Sequence, residues 1–198
     1  MKIKICSLLI LVLFACPFVL PQHGAYIAPV FKFTSINGQG AVISGVKAGW
    51  IINKTFVIGA AYYGLSSDIT QNWVDPLNGQ PPIVKFTTGG LNFEYVLFSD
   101  NIISASAEFF MGGAGINIEP SDKNKTHTVF YGGDFLVWEP QLNAIINLNE
   151  WFHISLGLSY RTTSNLDYYP KNDPASPDFP IKNLRGLSGS LSLIFGMY

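Results

Sequence analysis

His153 and Ser155 stand two residues apart, the separation at which two side chains of one β-strand share a face. An imidazole beside a hydroxyl is the minimal pair for nucleophilic acyl transfer, the ring taking the proton as the oxygen attacks. Six more residues carry charge within segments that are otherwise almost free of it: Lys32, Lys47 and Arg161, against Glu94, Glu108 and Glu139. Enclosed in one place, such a set can form ion pairs, relay protons or gate small ions. His23 and His127 have no partner at metal-ligand spacing and no His, Cys and Asp cluster occurs, so neither a metal nor a cofactor is expected. The pairs Gly89-Gly90, Gly112-Gly113 and Gly132-Gly133 lack the strand-to-helix context of a phosphate loop; they suit close approach or bending of strands.

The elements that must position these residues are visible in the run WFHISLGLSYR at 151–161. Phe152, Ile154, Leu156, Leu158 and Tyr160 fall on one parity, and His153, Ser155, Gly157, Ser159 and Arg161 on the other, which is a strand with two unlike faces. Segments of similar character recur at 26–34, 41–52, 55–65, 84–98, 102–118, 130–148, 152–163 and 186–198, predicting eight strands. Connections at 53–54, 99–101 and 149–151 are tight, whereas 66–83, 119–129 and 164–185 are long and rich in Pro and Asn. Only 35–40, with Asn37-Gly38, is short among the connections at the second end. Short turns at one end and long loops at the other predict an all-β, eight-stranded antiparallel up-and-down transmembrane β-barrel over residues 23–198.

Charged residues make up 13% of the 198 residues, against roughly 25% in an ordinary soluble domain, so Gly, Ser, Asn and aromatics take their place. A net charge of −1 offers no basic surface for nucleic acid. Residues 1–22 read as a secretory signal peptide, with Lys2 and Lys4 ahead of an apolar run from Ile5 to Leu20, which implies export to the cell outer membrane of a Gram-negative envelope. Both cysteines, Cys6 and Cys16, fall in this segment; Leu13-Phe14-Ala15-Cys16 loosely matches a lipidation box.

Parity also sorts the faces. Leu136, Trp138, Pro140, Leu142, Ala144 and Ile146 oppose Glu139, Gln141 and Asn143; Leu91, Phe93, Tyr95 and Leu97 oppose Asn92 and Glu94; Leu187, Leu191, Leu193 and Phe195 oppose Ser188, Ser190 and Ser192. A soluble barrel would clothe its outer face with Lys and Glu, whereas the less bulky face here is mostly Ser, Gly and Asn. Small side chains fit the narrow interior of eight strands, so the bulky face is expected to meet lipid. Trp50 and Trp151 then mark the membrane interface near the turn end, and Trp138 and Tyr160 nearer the loop end. The six charges fall on the interior parity, where three of each sign are expected to neutralise one another in a filled polar lumen. The segment 55–65 is apolar on both parities and has no assigned face.

The stretches EPQLNAIINLNEWFHISLGLSYR (139–161) and GLSGSLSLIFGMY (186–198) resemble exported outer-membrane barrel proteins of Bacteroidota-like bacteria. From Gly24 onward the chain resembles the small eight-stranded barrels of the outer membrane protein A and X type. That resemblance implies a porin-like monomer inserted by the barrel-assembly machinery, with Phe195 and Tyr198 as its terminal assembly signal, seated among outer-membrane lipid and lipopolysaccharide. The expected role is non-enzymatic, in envelope structure or surface interaction through the long loops, where Trp73, Tyr168, Tyr169 and Phe179 could contact an extracellular ligand. A narrow channel for small solutes or ions is the alternative. Some barrels of this size are lipid A deacylases with a His and a Ser at the spacing of His153 and Ser155; such a site must touch lipid, and parity turns both residues inward.

Overall fold

The computed structural model describes residues 23–36, 38–70, 81–119, 131–164, 167–169 and 184–196. Alternating side chains and β-branched or aromatic composition give β1 (His23–Ile36), β2 (Gln39–Ile52), β3 (Phe56–Leu65), β4 (Ile69–Thr70), β5 (Ile83–Leu97), β6 (Ile103–Glu119), β7 (Tyr131–Asn147), β8 (Phe152–Thr163), β9 (Asp167–Tyr169) and β10 (Gly186–Gly196). The eight long strands match the eight expected segments. β4 and β9 are short additions, pairing with β5 and β7 within stretches that the sequence reads as loop.

Every pairing is antiparallel, and the order β3-β2-β1-β10-β8-β7-β6-β5 is closed by β3 against β5. Closure leaves no long strand with an unpaired edge, the condition for crossing hydrocarbon with strands. Following the register from Ile27 through Ala48, Ala60, Leu91, Met111, Trp138 and Thr162 returns to β1 beyond Thr34 rather than to Ile27. This stagger is the shear that tilts the strands and narrows the interior until side chains fill it. Asn53 and Lys54, both at positive φ, reverse the chain between β2 and β3.

Two prolines lie inside strands, where each removes a donor. The β1–β10 register skips from Ile27↔Phe195 to Val30↔Ser192 around Pro29, and the β7–β8 register from Trp138↔Thr162 to Gln141↔Ser159 around Pro140.

The faces are inverted relative to a soluble globule. Leu142 is 69% exposed and Leu158 61%, while Arg161 is 2% and Lys47 2% exposed. Phe33, Trp50, Tyr62, Leu91, Leu156 and Leu187 continue the outward apolar band around the wall. Such a continuous apolar surface is far larger than a monomer in water tolerates. β3, whose face the sequence leaves open, is settled by its register with β2: Lys47↔Ala61 turns Val57, Ala61 and Tyr63 inward and Phe56, Ile58 and Tyr62 outward.

Candidate functional site: the lumen

The interior is a stack of three layers. At the turn end, Tyr26, Ala28, Ile51, Val57, Val96 and Ile194 form a small apolar floor. At the loop end, a larger apolar layer includes Ile43, Tyr63, Phe86, Phe110, Ile116 and Phe135, with Phe86 stacked on Phe135 at 6.1 Å and Tyr63 edge-on to Phe110 at 5.6 Å. Lys32, Lys47, Glu94, Glu108, Glu139, Gln141 and Asn143 lie in a belt between them. The expected filled lumen is therefore most polar in its middle, with Arg161 at the loop end and His153 at the turn end as polar members of the flanking layers. Parity alone obscures this, because the strands are long enough for one inward face to carry polar residues at mid-height and apolar ones at its ends.

Pairing of β5 with β6 sets Glu94 directly opposite Glu108. Two like charges in that relation repel. Lys47, reaching in from β2, lies between them, its Nζ 2.9 Å from Glu108 Oε2 and 3.7 Å from Glu94 Oε2. Glu94 also accepts from the Ser106 hydroxyl and, at 3.4 Å, from Tyr26. Glu108 accepts from Asn143 Nδ2 at 3.0 Å and Gln141 Nε2 at 3.3 Å, and that Gln141 nitrogen also donates to Asn143 Oδ1 at 2.6 Å. Gly157 makes room for this amide pair, since a Cβ there would collide with Asn143, Ser190 and Gln141. The second ion pair is Lys32 Nζ to Glu139 Oε1 at 2.6 Å, with the Ser159 hydroxyl donating to the same oxygen at 2.6 Å. Lys32 also sits 4.4 Å from the centre of the Tyr63 ring. All five charged side chains are buried, and each carboxylate has both a cation and neutral donors, which is what an enclosed ion pair requires.

Arg161 departs from the expected three-against-three neutralisation. It is buried in the lumen but makes no ion pair among the described residues. Its Nε donates to the Leu184 carbonyl at 2.8 Å, one NH2 group to Thr34 Oγ1 at 3.3 Å, and its guanidinium lies 5.6 Å from the Phe86 ring centre. The pairing of Arg161 with Gly186 sets it among the loop-end residues, where backbone oxygen and an aromatic face replace a carboxylate. Tyr26 and Tyr63, which parity did not single out, join the network because ring closure brings β1, β2 and β3 beside β5 and β6. Asn92, Ser188 and Ser190 are also inward and buried, and the Asn92 amide has no hydrogen-bond partner among the described protein atoms.

The remaining expected positions are distributed as follows. His153 and Ser155 are both buried in the lumen, His153 Nδ1 lying 2.8 Å from Asn147 Oδ1, so neither reaches the outer wall. Trp50 is exposed, its Nε1 donating to His23 Nδ1 at 3.4 Å; Trp151 is exposed and stacks on Phe195 at 6.5 Å; Tyr160 is exposed and Trp138 half-buried. Phe195 is outward, 5.0 Å from the Phe152 ring. Tyr198, Cys16, residues 1–22, His127, Trp73 and Phe179 lie outside the described residues. Among the described residues no group of three His, Cys, Asp or Glu side chains is placed to hold a metal.

A closed ring with an apolar exterior and a packed, ion-paired interior defines the class: an eight-stranded β-barrel of the outer-membrane type. Solved structures carry the same fold. Neisserial surface protein A matches at a TM-score of 0.54 with 9% identity over 88% of this chain and 96% of that one. The outer membrane protein OprG of Pseudomonas aeruginosa matches at 0.51 with 8% identity, over 89% and 96%, and Ail, the attachment invasion locus protein of Yersinia pestis, at 0.50 with 9% identity, over 89% and 99%. At such identities the likeness is one of fold. No family model and no curated protein sequence matches the chain.

Proposed function

We propose that the protein is a non-enzymatic integral outer-membrane barrel whose lumen is closed, exported by its N-terminal segment, inserted by the barrel-assembly machinery and acting as a monomer in envelope structure or surface interaction. One observation carries this reading: large apolar residues point outward all round a closed ring, while the interior is occupied by paired charges between two apolar layers. The loop-end layer, with Phe86, Phe110 and Phe135, stands across the path that ions would take, which supports a structural role for the six charges over a conducting one. The inward, buried positions of His153 and Ser155 support a non-enzymatic role, since acyl transfer from lipid would need them on the outer wall.

The test combines migration on unboiled and boiled gels with planar-bilayer recording. A heat-sensitive shift in migration and no stepwise conductance are expected. A protein soluble and monomeric without detergent would refute the membrane reading, and conductance steps that change in Glu139→Gln would instead establish the channel.

A further inference from the structure

The outer wall is not uniform at the loop end. Where β3, β5, β6 and β7 lie side by side, the wall steps inward to form a concavity of about 650 Å³. Its floor is Gly89, paired with Gly113, and Gly115, paired with Thr87. Tyr62, 57% exposed, and Leu136, 54% exposed, are its walls, and Asp134 and Thr87 form the loopward rim. The rim side chains lean over Gly115: a Cβ there would stand 3.4 Å from Asp134 Oδ1 and 3.9 Å from Thr87 Oγ1. A Cβ at Gly113 would meet nothing within 4 Å.

Its height on the wall decides what it can hold. Two residues toward the turn end on the same face, β5 and β6 carry exposed Leu91 and Met111, the top of the apolar band. Toward the loops the same face carries Thr87, Asp134 and Asn117, with Lys85 opposite Asn117 one step beyond the groove, all exposed. The groove thus straddles the boundary between acyl chains and headgroups and is continuous with the surface that faces lipid. None of the described residues lining it is basic, while a carboxylate and hydroxyls are available as acceptors, so it suits a headgroup rich in hydroxyl donors better than a bare phosphate. The exposed Tyr62 ring offers an apolar platform for the C–H face of a sugar.

We propose that this groove seats the sugar headgroup of an outer-leaflet glycolipid, hydroxyls on Asp134 and Thr87, ring against Tyr62, and acyl chains along Leu91, Met111 and Leu136. The assignment rests on the membrane-barrel reading above. The test is native mass spectrometry of the full chain released from nanodiscs holding equal parts of a phosphate-free monoglycosyl diacylglycerol, phosphatidylethanolamine and phosphatidylglycerol. One glycosyl diacylglycerol is expected to be retained about tenfold over either phospholipid, the discrimination of one or two well-made polar contacts. Gly113→Phe fills open space and should abolish the preference, and Asp134→Asn should reduce it severalfold. Gly189→Phe, on the distant β10 at a position equally open, should leave it intact. Equal retention of all three lipids, a preference for phosphatidylethanolamine, or an undiminished preference in Gly113→Phe would each overturn the proposal. Heat-modifiable migration is read on every variant, so loss of the barrel itself is distinguished from loss of the glycolipid seat.

Discussion

The polar belt and the loop-end apolar layer fill the same lumen by opposite means. In the belt, each charge is held by a partner at a defined distance: Lys47 against Glu94 and Glu108, Lys32 against Glu139. Removing one member leaves the others enclosed without compensation, so stability there depends on completeness. In the loop-end layer, Phe110 and Phe135 contribute non-directional burial, and loss of either leaves a cavity rather than a stranded charge. The first region specifies which strands sit together; the second fills volume.

The largest expected effect breaks the belt. Lys47→Met leaves Glu94 and Glu108 face to face and should cost about 3–5 kcal/mol in urea unfolding of the protein refolded into vesicles. Adding Glu94→Gln and Glu108→Gln should recover most of that loss, since the deficit comes from uncompensated charge. A triple variant as unstable as Lys47→Met would show that the lysine contributes by packing. Next, Phe110→Ala in the apolar layer should cost about 3 kcal/mol, with no rescue by changes at charged positions. A rescue there would dissolve the distinction between the two layers.

Smaller effects sharpen it. Asn92→Leu replaces a buried amide with no hydrogen-bond partner among the described residues and should change stability by no more than about 1 kcal/mol, in either direction. A loss comparable to that of Lys47→Met would make Asn92 a full member of the network. Least of all, Lys54→Ala removes a 3.0 Å ion pair with an Asp100 side chain that is 80% exposed, and should cost less than about 0.5 kcal/mol, a value double-mutant cycles with Asp100→Ala would check. The same type of contact thus spans the whole range of effects, according to whether water can replace the partner.

Much of this was legible from residue order. The alternation in 151–161 assigned His153, Ser155 and Arg161 to one face, and the parity of Lys32, Lys47, Glu94, Glu108 and Glu139 put them on the inward side. Tight turns and long loops implied the up-and-down order. Segment 55–65 was not legible, because Val, Ile, Ala and Tyr on both parities suit either lipid or core. Nor was the loop-end layer, since Phe110 and Phe135 have the same character whether they point to hydrocarbon or to the lumen. For Arg161 the alternation gives the direction but not the partner: its height in the barrel depends on stagger, which no local pattern contains.

Residue order is enough to specify the wall, because a strand's side chains alternate with a period of two and a one-residue slip would send every charge into hydrocarbon. Who meets whom inside emerges with the assembled barrel: Glu94 faces Glu108, Lys47 spans both, Tyr63 lies beneath Lys32, and Arg161 turns to a carbonyl. Partner choice follows from register summed around a closed, sheared ring, a quantity set by all eight long strands together and by none of them alone.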